Sequence, residues 1–265
     1  MAVIDLPLVH PTRELSGFQP FKALHHFRKL IADKEDTKQV FFIIDALKGK
    51  KSQRQAEEWL AGDTAHGFMQ REDKIGLADM LDDHARWADC GPNTVAQHYI
   101  RFMKREGLTA NGLVEENYAW KSREERPEDQ VEWYINRLRD THDLFHVLTT
   151  YGRDALGEAA LLGFSYEQNH NLGVKFISYA ATRQIKKVTG TSAPLYAVVR
   201  EGRELGKAAH KLAHMDVEAV MRSDIEDVRK ELNIGVPVLY RKCLAQLDAE
   251  GWAEENLGLD NVQAA

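Results

Sequence analysis

The chain has 265 residues, 43% hydrophobic and 29% charged, which is ordinary for a soluble globular protein and long enough to bury a substantial core. Its formal net charge of −6 and pI near 6.0 argue against a general nucleic-acid binder, which carries a basic face. Two cysteines, Cys90 and Cys243, give neither a disulfide framework nor a CxxC ligand pair, and suit a reducing compartment.

The opening MAVIDLPLVHPTREL lacks the basic, apolar and small-residue succession of a secretory signal. The longest apolar run, VFFII from Val40 to Ile44, is far short of the ~18 residues of a spanning helix. Any membrane contact is therefore expected to be peripheral. Pro20 suits a first helical turn, and Phe21, Leu24, Phe27 and Ile31 recur at helical spacing behind it. VFFIIDALKG reads as a buried helix stopped by Gly49, and SQRQAEEWLAG as a short polar helix with a glycine end. In CGPNTVAQHYIRFMKREG, Asn93 or Thr94 can cap a helix. Val95, Tyr99, Phe102 and Met103 form its stripe, and Gly107 closes it.

The next helix is predicted to take Pro127 in its first turn, with Glu128 and Asp129 near the positive end of the dipole. One continuous helix is expected from Val131 to Leu148, with Val131, Ile135, Leu138 and Phe145 on one stripe. At ~100° per residue, His142 projects into that stripe, His146 lies ~40° away, and Asp143 flanks both. Gly152 is expected to end this helix and Asp154 to cap the next, so that an αα-hairpin turns Glu158 back towards the histidines. Gly157, Ala160 and Gly163 allow close approach there. A lone HxxxH pair on a helix is more often packing or surface, but this pair interrupts an apolar stripe with an adjacent Asp and a Glu on the following helix. Buried without partners those groups would be expensive. Together they make a transition-metal ligand set, with Zn²⁺ preferred and Fe, Mn and Co compatible.

Further on, KKVTGTSAP reads as a loop, with Lys186 and Lys187 available to an anionic group. A helix then opens with Ser192 as cap and Pro194 in the first turn, and the last clear helix opens with a Ser223–Glu226 capping box and carries Ile225, Val228 and Leu232. His210 and His214 form a second HxxxH with no suitably phased carboxylate beyond Asp216 or Glu218 and are read as ordinary surface or packing residues, while the adjacent His25 and His26 are read as structural. There is no GxSxG spacing and no phosphate-binding P-loop. The predicted class is all-α: a single helical domain at 17–240, a 1–16 extension and a polar tail at 241–265, with the metal motif on an antiparallel helix pair.

HDLFHVLTTYGRDALGE reproduces HDxxHx11E, the signature of the ubiquinone (coenzyme Q) biosynthesis protein 4 family, and the sequence resembles that family over roughly Gly17 to Tyr240. His142, Asp143, His146 and Glu158 occupy the four motif positions. YINRLRDTHD resembles the family's lead-in, with Leu138 in place of an aromatic. GPNTVAQHYIRFMKREGL is similar to its P-x-G-T-x-G-x-x-Y-x-x-F segment, with Asn93 and Ala96 in place of glycines. Two further departures are Thr150, where the family often has Gly, and Val217, where it tends to have Trp. The resemblance implies an all-helical, homodimeric, membrane-associated protein acting late in ubiquinone synthesis; with no targeting sequence read, its expected place is cytoplasmic, peripherally bound to the inner membrane. It would act on a polyprenylated 4-hydroxybenzoate, removing the C1 carboxylate with hydroxylation coupled in some accounts. His142, Asp143, His146 and Glu158 would hold a divalent metal and carry the chemistry. VFFII, Phe102, Phe145 and Phe164 are candidate linings for a prenyl tail. The alternative is a non-catalytic prenyl-lipid scaffold that gathers the other ubiquinone biosynthesis enzymes; metal-dependent hydrolysis is the weakest reading.

Overall fold

The computed structural model describes residues 2–13, 18–32, 38–122 and 125–252. Fifteen α-helices stand among them: α1 (Pro20–Ala32), α2 (Lys38–Leu47), α3 (Gly49–Leu60), α4 (Asp63–Glu72), α5 (Leu77–Asp82), α6 (Val95–Glu106), α7 (Ala110–Trp120), α8 (Gln130–Asp140), α9 (His142–Thr149), α10 (Ala155–Asn169), α11 (Leu172–Thr189), α12 (Leu195–Ala208), α13 (Val217–Arg222), α14 (Ile225–Glu231) and α15 (Val238–Ala249). The described residues include no strand, only an isolated bridge between Thr94 and Asp224. The chain is all-α, as its punctuation predicts. It resolves into two compact units, each drawn from three separate stretches: Met1–Leu15, Lys50–Leu148 and Lys211–Glu231 in the first, and Ser16–Gly49, Thr149–His210 and Leu232–Ala265 in the second.

The first unit has a core of Ala56, Leu60, Met69, Val131, Tyr134 and Ala213, with Trp59 and Trp133 packed on it. Arg137, 1% exposed, runs through this unit. Its Nε donates to the Ala213 carbonyl at 2.7 Å, Nη2 to that of Met215 at 2.5 Å, and Nη1 to Glu72. Removing one partner of such a buried ion pair costs about 3–5 kcal/mol, because a charge is left stranded. The arginine thus ties α8 and α4 to the 213–215 segment. At the start of α8, Asp129 is the cap and accepts from Glu132 N at 2.8 Å. Pro127 and Glu128 therefore precede the helix instead of forming its first turn. Arg13 grips Asp129 with two bonds of 2.6 Å and holds that cap in place.

The continuous helix expected from Val131 to Leu148 is interrupted at Thr141, between α8 and α9. The Thr141 hydroxyl donates back to the Arg137 carbonyl at 2.8 Å, which the Thr141 N–H also reaches at 3.1 Å. Of the predicted stripe, Val131 and Phe145 are buried and Leu138 packs on the core, whereas Ile135 is 39% exposed and Tyr134, Arg137 and Leu144 join the buried face. Thr150, not Gly152, takes the left-handed position after α9, with φ of +62°. Gly would relieve that conformation, and this is the place where the resembled family often has it. Asp224 rather than Ser223 opens α14, accepting from Glu226 N at 2.9 Å.

In the second unit, α1, α2, α10 and α11 share a core that includes Ala23, Leu30, Val40, Ile43, Leu162 and Ile177. Helices α10 and α12 pack closely because α12 offers glycines: a Cβ on Gly202 would strike the Ala160 carbonyl oxygen, and one on Gly206 that of Phe164. Of the small residues expected to bring α9 and α10 together, Ala160 and Gly163 serve the contact with α12, where Gly163 faces the Val199 carbonyl oxygen, while Gly157 packs on the Gly152 carbonyl in the turn before α10. Lys186 and Lys187 lie in the last turn of α11, not in a loop. Ser192 does not cap α12, whose N-cap is Pro194 without a side-chain bond. Residues 241–249, placed with the polar tail, belong to α15, which buries Tyr240, Cys243 and Leu247; residues 253–265 lie outside the described residues. The predicted α1 stripe faces outwards: Phe21 is 87% exposed and Leu24 and Ile31 are each 40%, while Ala23 and Leu30 supply the inner face and Phe27 is partly buried.

Candidate metal centre

Helix α9 carries the donors. His142, Asp143 and His146 are all buried, at 8%, 8% and 1% exposure, and one ligand atom from each lies within 4.8 Å of the others. The imidazole Nε2 atoms of His142 and His146 are 3.3 Å apart. Their rings stand edge to face, with centroids 5.0 Å apart and planes at 87°. Two nitrogens one helical turn apart and a carboxylate beside them converge on one point, in donor types that hold Zn²⁺ and its neighbours. The donor set therefore fits a divalent metal.

Helix α6 packs against this group. Its N-cap is Thr94, of the two alternatives considered, and it ends at Gly107 in the left-handed conformation. Val95, Tyr99, Phe102 and Met103 are buried as the stripe predicts. The Phe102 ring stacks on His146 at 5.7 Å and 21°, which fixes the imidazole plane. One turn earlier, Tyr99 is fully buried and its hydroxyl has no hydrogen-bond partner. Burial pushes the Tyr99 phenol well above its ordinary range, and the carboxylates of Asp143, Asp82 and Asp140 raise it further. Burial likewise raises the Asp140 carboxyl, against the pull of Arg139. The far end of α9 is held by Arg229, whose Nε and Nη2 donate to the carbonyls of Leu148 and Val147 at 2.9 Å each. Tyr99 and Arg229 are not among the site residues expected from sequence, and Phe102 is among them only as a prenyl lining, not as cover for His146. The i, i+3 pair in HYIRF was visible only as core.

Glu158 lies in the second unit, 4% exposed in the first turn of α10. Asp154 caps that helix as expected, accepting from Leu156 N at 3.1 Å and Gly157 N at 2.9 Å. Burial raises the Asp154 carboxyl, and the nearby Glu158 charge adds to that rise. Of the four motif residues, the mutually close group is His142, Asp143 and His146. The aromatic candidates Phe41, Phe102, Phe145 and Phe164 are all buried in packed cores.

A sequence profile of the family described as coenzyme Q (ubiquinone) biosynthesis protein Coq4 matches residues 57–237. The chain belongs to that family. Among curated relatives, the mitochondrial ubiquinone biosynthesis protein COQ4 of Podospora anserina is 26% identical over 155 residues, 57% of this chain and 47% of that protein. The COQ4 protein of Ajellomyces capsulatus strain NAm1 is 25% identical over 186 residues, 69% of this chain and 62% of that one. The match thus spans about half to three-fifths of those relatives. In fold, the chain is similar to a crystal structure from Nostoc punctiforme PCC 73102, described as a candidate ubiquinone biosynthesis protein. The TM-score is 0.58 and the identity 17%, with 83% of this chain and all of that one covered. No described helix is long and apolar enough to cross a membrane.

In the second HxxxH, His210 is exposed and His214 is packed, the surface and packing roles expected for such a pair. His214 stacks on Trp59 with centroids 4.4 Å apart and planes at 4°. Burial, with Lys211 and Arg137 nearby, pushes its pKa from 6.5 down to about 4. Between those values the unfolded chain binds a proton that the folded one does not, so His214 makes stability fall as pH drops from 6.5 towards 4. In His214→Phe that contribution disappears. Urea unfolding of the two proteins across this window should show a shallower acid loss for the variant, and equal slopes would refute the assignment.

Proposed function

We propose that this protein acts in ubiquinone biosynthesis as a metal-dependent decarboxylase that removes the C1 carboxylate of a polyprenylated 4-hydroxybenzoate. The observation that carries the reading is the buried His142, Asp143 and His146 group in a member of the Coq4 family. His142 and His146 are the proposed imidazole ligands and Glu158 a carboxylate ligand. Asp143 would be the fourth ligand or, in the alternative role, the residue that carries a proton. Bound divalent metal would supply Lewis acidity that polarises a substrate carboxylate or phenolate oxygen.

The remaining work falls to the chain. In this scheme Asp143 delivers a proton to C1 as the C4 phenolate electrons shift into the ring, giving a cyclohexadienone; the C1–carboxylate bond then breaks, CO₂ leaves, and the electron pair of that bond restores the aromatic phenolate. Packing around the site, with Tyr99 and Phe102 from α6, excludes water from the developing anion.

The test is CO₂ release from 3-prenyl-4-hydroxybenzoate by metal-free and reconstituted protein, with and without oxygen. Reconstituted wild type should turn over in both atmospheres, and metal-free protein, His142→Ala and Glu158→Gln should each fall by about 100-fold or more. Bound metal without turnover in either atmosphere would overturn the enzyme in favour of the scaffold. Turnover in air alone would mean that oxygen supplies the oxidant for a coupled hydroxylation.

A long prenyl tail keeps such a substrate in lipid, and α1 suits contact with an anionic lipid surface. Phe18, Phe21, Leu24 and Ile31 are exposed. Lys22, Arg28 and Lys29 are exposed among them, and PFKALHHFRKLIA contains no acidic residue. Apolar side chains with interspersed cations are the pattern of an interfacial helix. Phe21→Asp should cut co-sedimentation with phosphatidylglycerol vesicles several-fold while leaving turnover of the short-tailed substrate unchanged; equal sedimentation would count against α1.

A further inference from the structure

A buried tyrosine hydroxyl ordinarily finds a partner, because an unsatisfied one costs free energy that phenylalanine would avoid. Tyr99 breaks that pattern: it is 0% exposed and its hydroxyl is bonded to nothing. The carboxylates around it are the natural acceptors, and two of them are occupied elsewhere. Asp82 accepts from Ala110 N at 2.7 Å and Asn111 N at 2.9 Å, capping α7. Asp140 accepts from Arg139 Nε at 2.7 Å. The third, Asp143, belongs to the donor group itself.

The register of α6 on α9 locates the hydroxyl. Phe102 stacks on His146, and three residues earlier on each helix Tyr99 lies within the field of Asp143. Residues three apart share a helix face. So α6 presents an aromatic plane to one donor and, on the same face, an uncommitted buried O–H that feels the charge of another.

We infer that Tyr99 is the hydrogen-bond donor to an anionic oxygen of the aromatic acid held at the His142, Asp143 and His146 group. The inference rests on the function proposed above and adds a substrate-orienting residue that is not a metal ligand. The O–H would settle the carboxylate or phenolate oxygen in one orientation, and its own unpaired state would end when the acid binds. A hydrogen bond to a charged group is stronger than a neutral one, so the hydroxyl matters to binding and not to folding.

The experiment uses cobalt-reconstituted full-length protein, with 3-prenyl-4-hydroxybenzoate titrated into wild type and Tyr99→Phe and followed through the cobalt visible bands. Tyr99→Phe should keep one metal per chain and an unchanged or higher melting temperature, and should bind the acid about tenfold or more weakly. Replacing Tyr99 by 3-fluorotyrosine, a stronger donor of nearly the same shape, should tighten binding. If wild type perturbs its cobalt bands with the acid and Tyr99→Phe binds equally well, the Tyr99 assignment is wrong while the function stands. A variant that loses stability and metal together, with no change in the fluorotyrosine protein, would make Tyr99 purely structural. If wild-type protein does not bind the acid at all, the functional reading fails and takes this inference with it.

Discussion

Two imidazoles and a carboxylate on consecutive turns of one helix, all within the protein interior, set the main constraint. Left unpartnered such groups are destabilising, so the surrounding structure must either satisfy them or keep them ready for a ligand that does. Much of the first unit serves that end. Helix α9, eight residues long, begins after a break at Thr141. Its last carbonyls are held by Arg229, one imidazole is clamped by Phe102, and the preceding helix is anchored by the fully buried Arg137. Polar groups thus fix the helix at several points along its length, and rigid support of this kind is what ligands need to keep their geometry.

The second unit answers a different demand. Glycines at 202 and 206 let α12 approach the backbone of α10. Asp154 caps α10 while bonding the Tyr240 hydroxyl from α15. The Tyr240 hydroxyl also accepts from Gly152 N at 2.9 Å. The turn that carries Glu158 is therefore locked by its own neighbours, and a carboxylate kept buried in a locked turn is positioned before any ligand arrives.

The all-α class and the α6 stripe were legible because apolar spacing and capping residues are local signals. So were the roles of Asp154 and His214, since a cap and an unphased histidine pair need no tertiary knowledge. The errors have a common origin. Val131 to Leu148 reads as one helix because nothing in the residues announces that Thr141 will turn its hydroxyl onto Arg137. The stripe held at Val131 and Phe145 but not at Ile135, and it missed Arg137, charged and apparently outward, which is buried by carbonyl acceptors some 76 and 78 residues away in sequence. On α1 the large apolar residues define a stripe, yet Ala23 and Leu30 pack inwards, since periodicity names a face without saying which face meets the core. Of the site, the motif residues were visible and their aromatic cover was not: Tyr99 and Phe102 look like ordinary core until α9 is placed against α6.

The most direct test of the metal centre is X-ray absorption on zinc-reconstituted protein with metal content measured in parallel. The account predicts about one zinc per chain, with two imidazole nitrogens and carboxylate oxygens at about 2.0–2.2 Å and no sulfur. Failure to retain zinc, iron, manganese or cobalt stoichiometrically, or a shell containing thiolate sulfur, would contradict it.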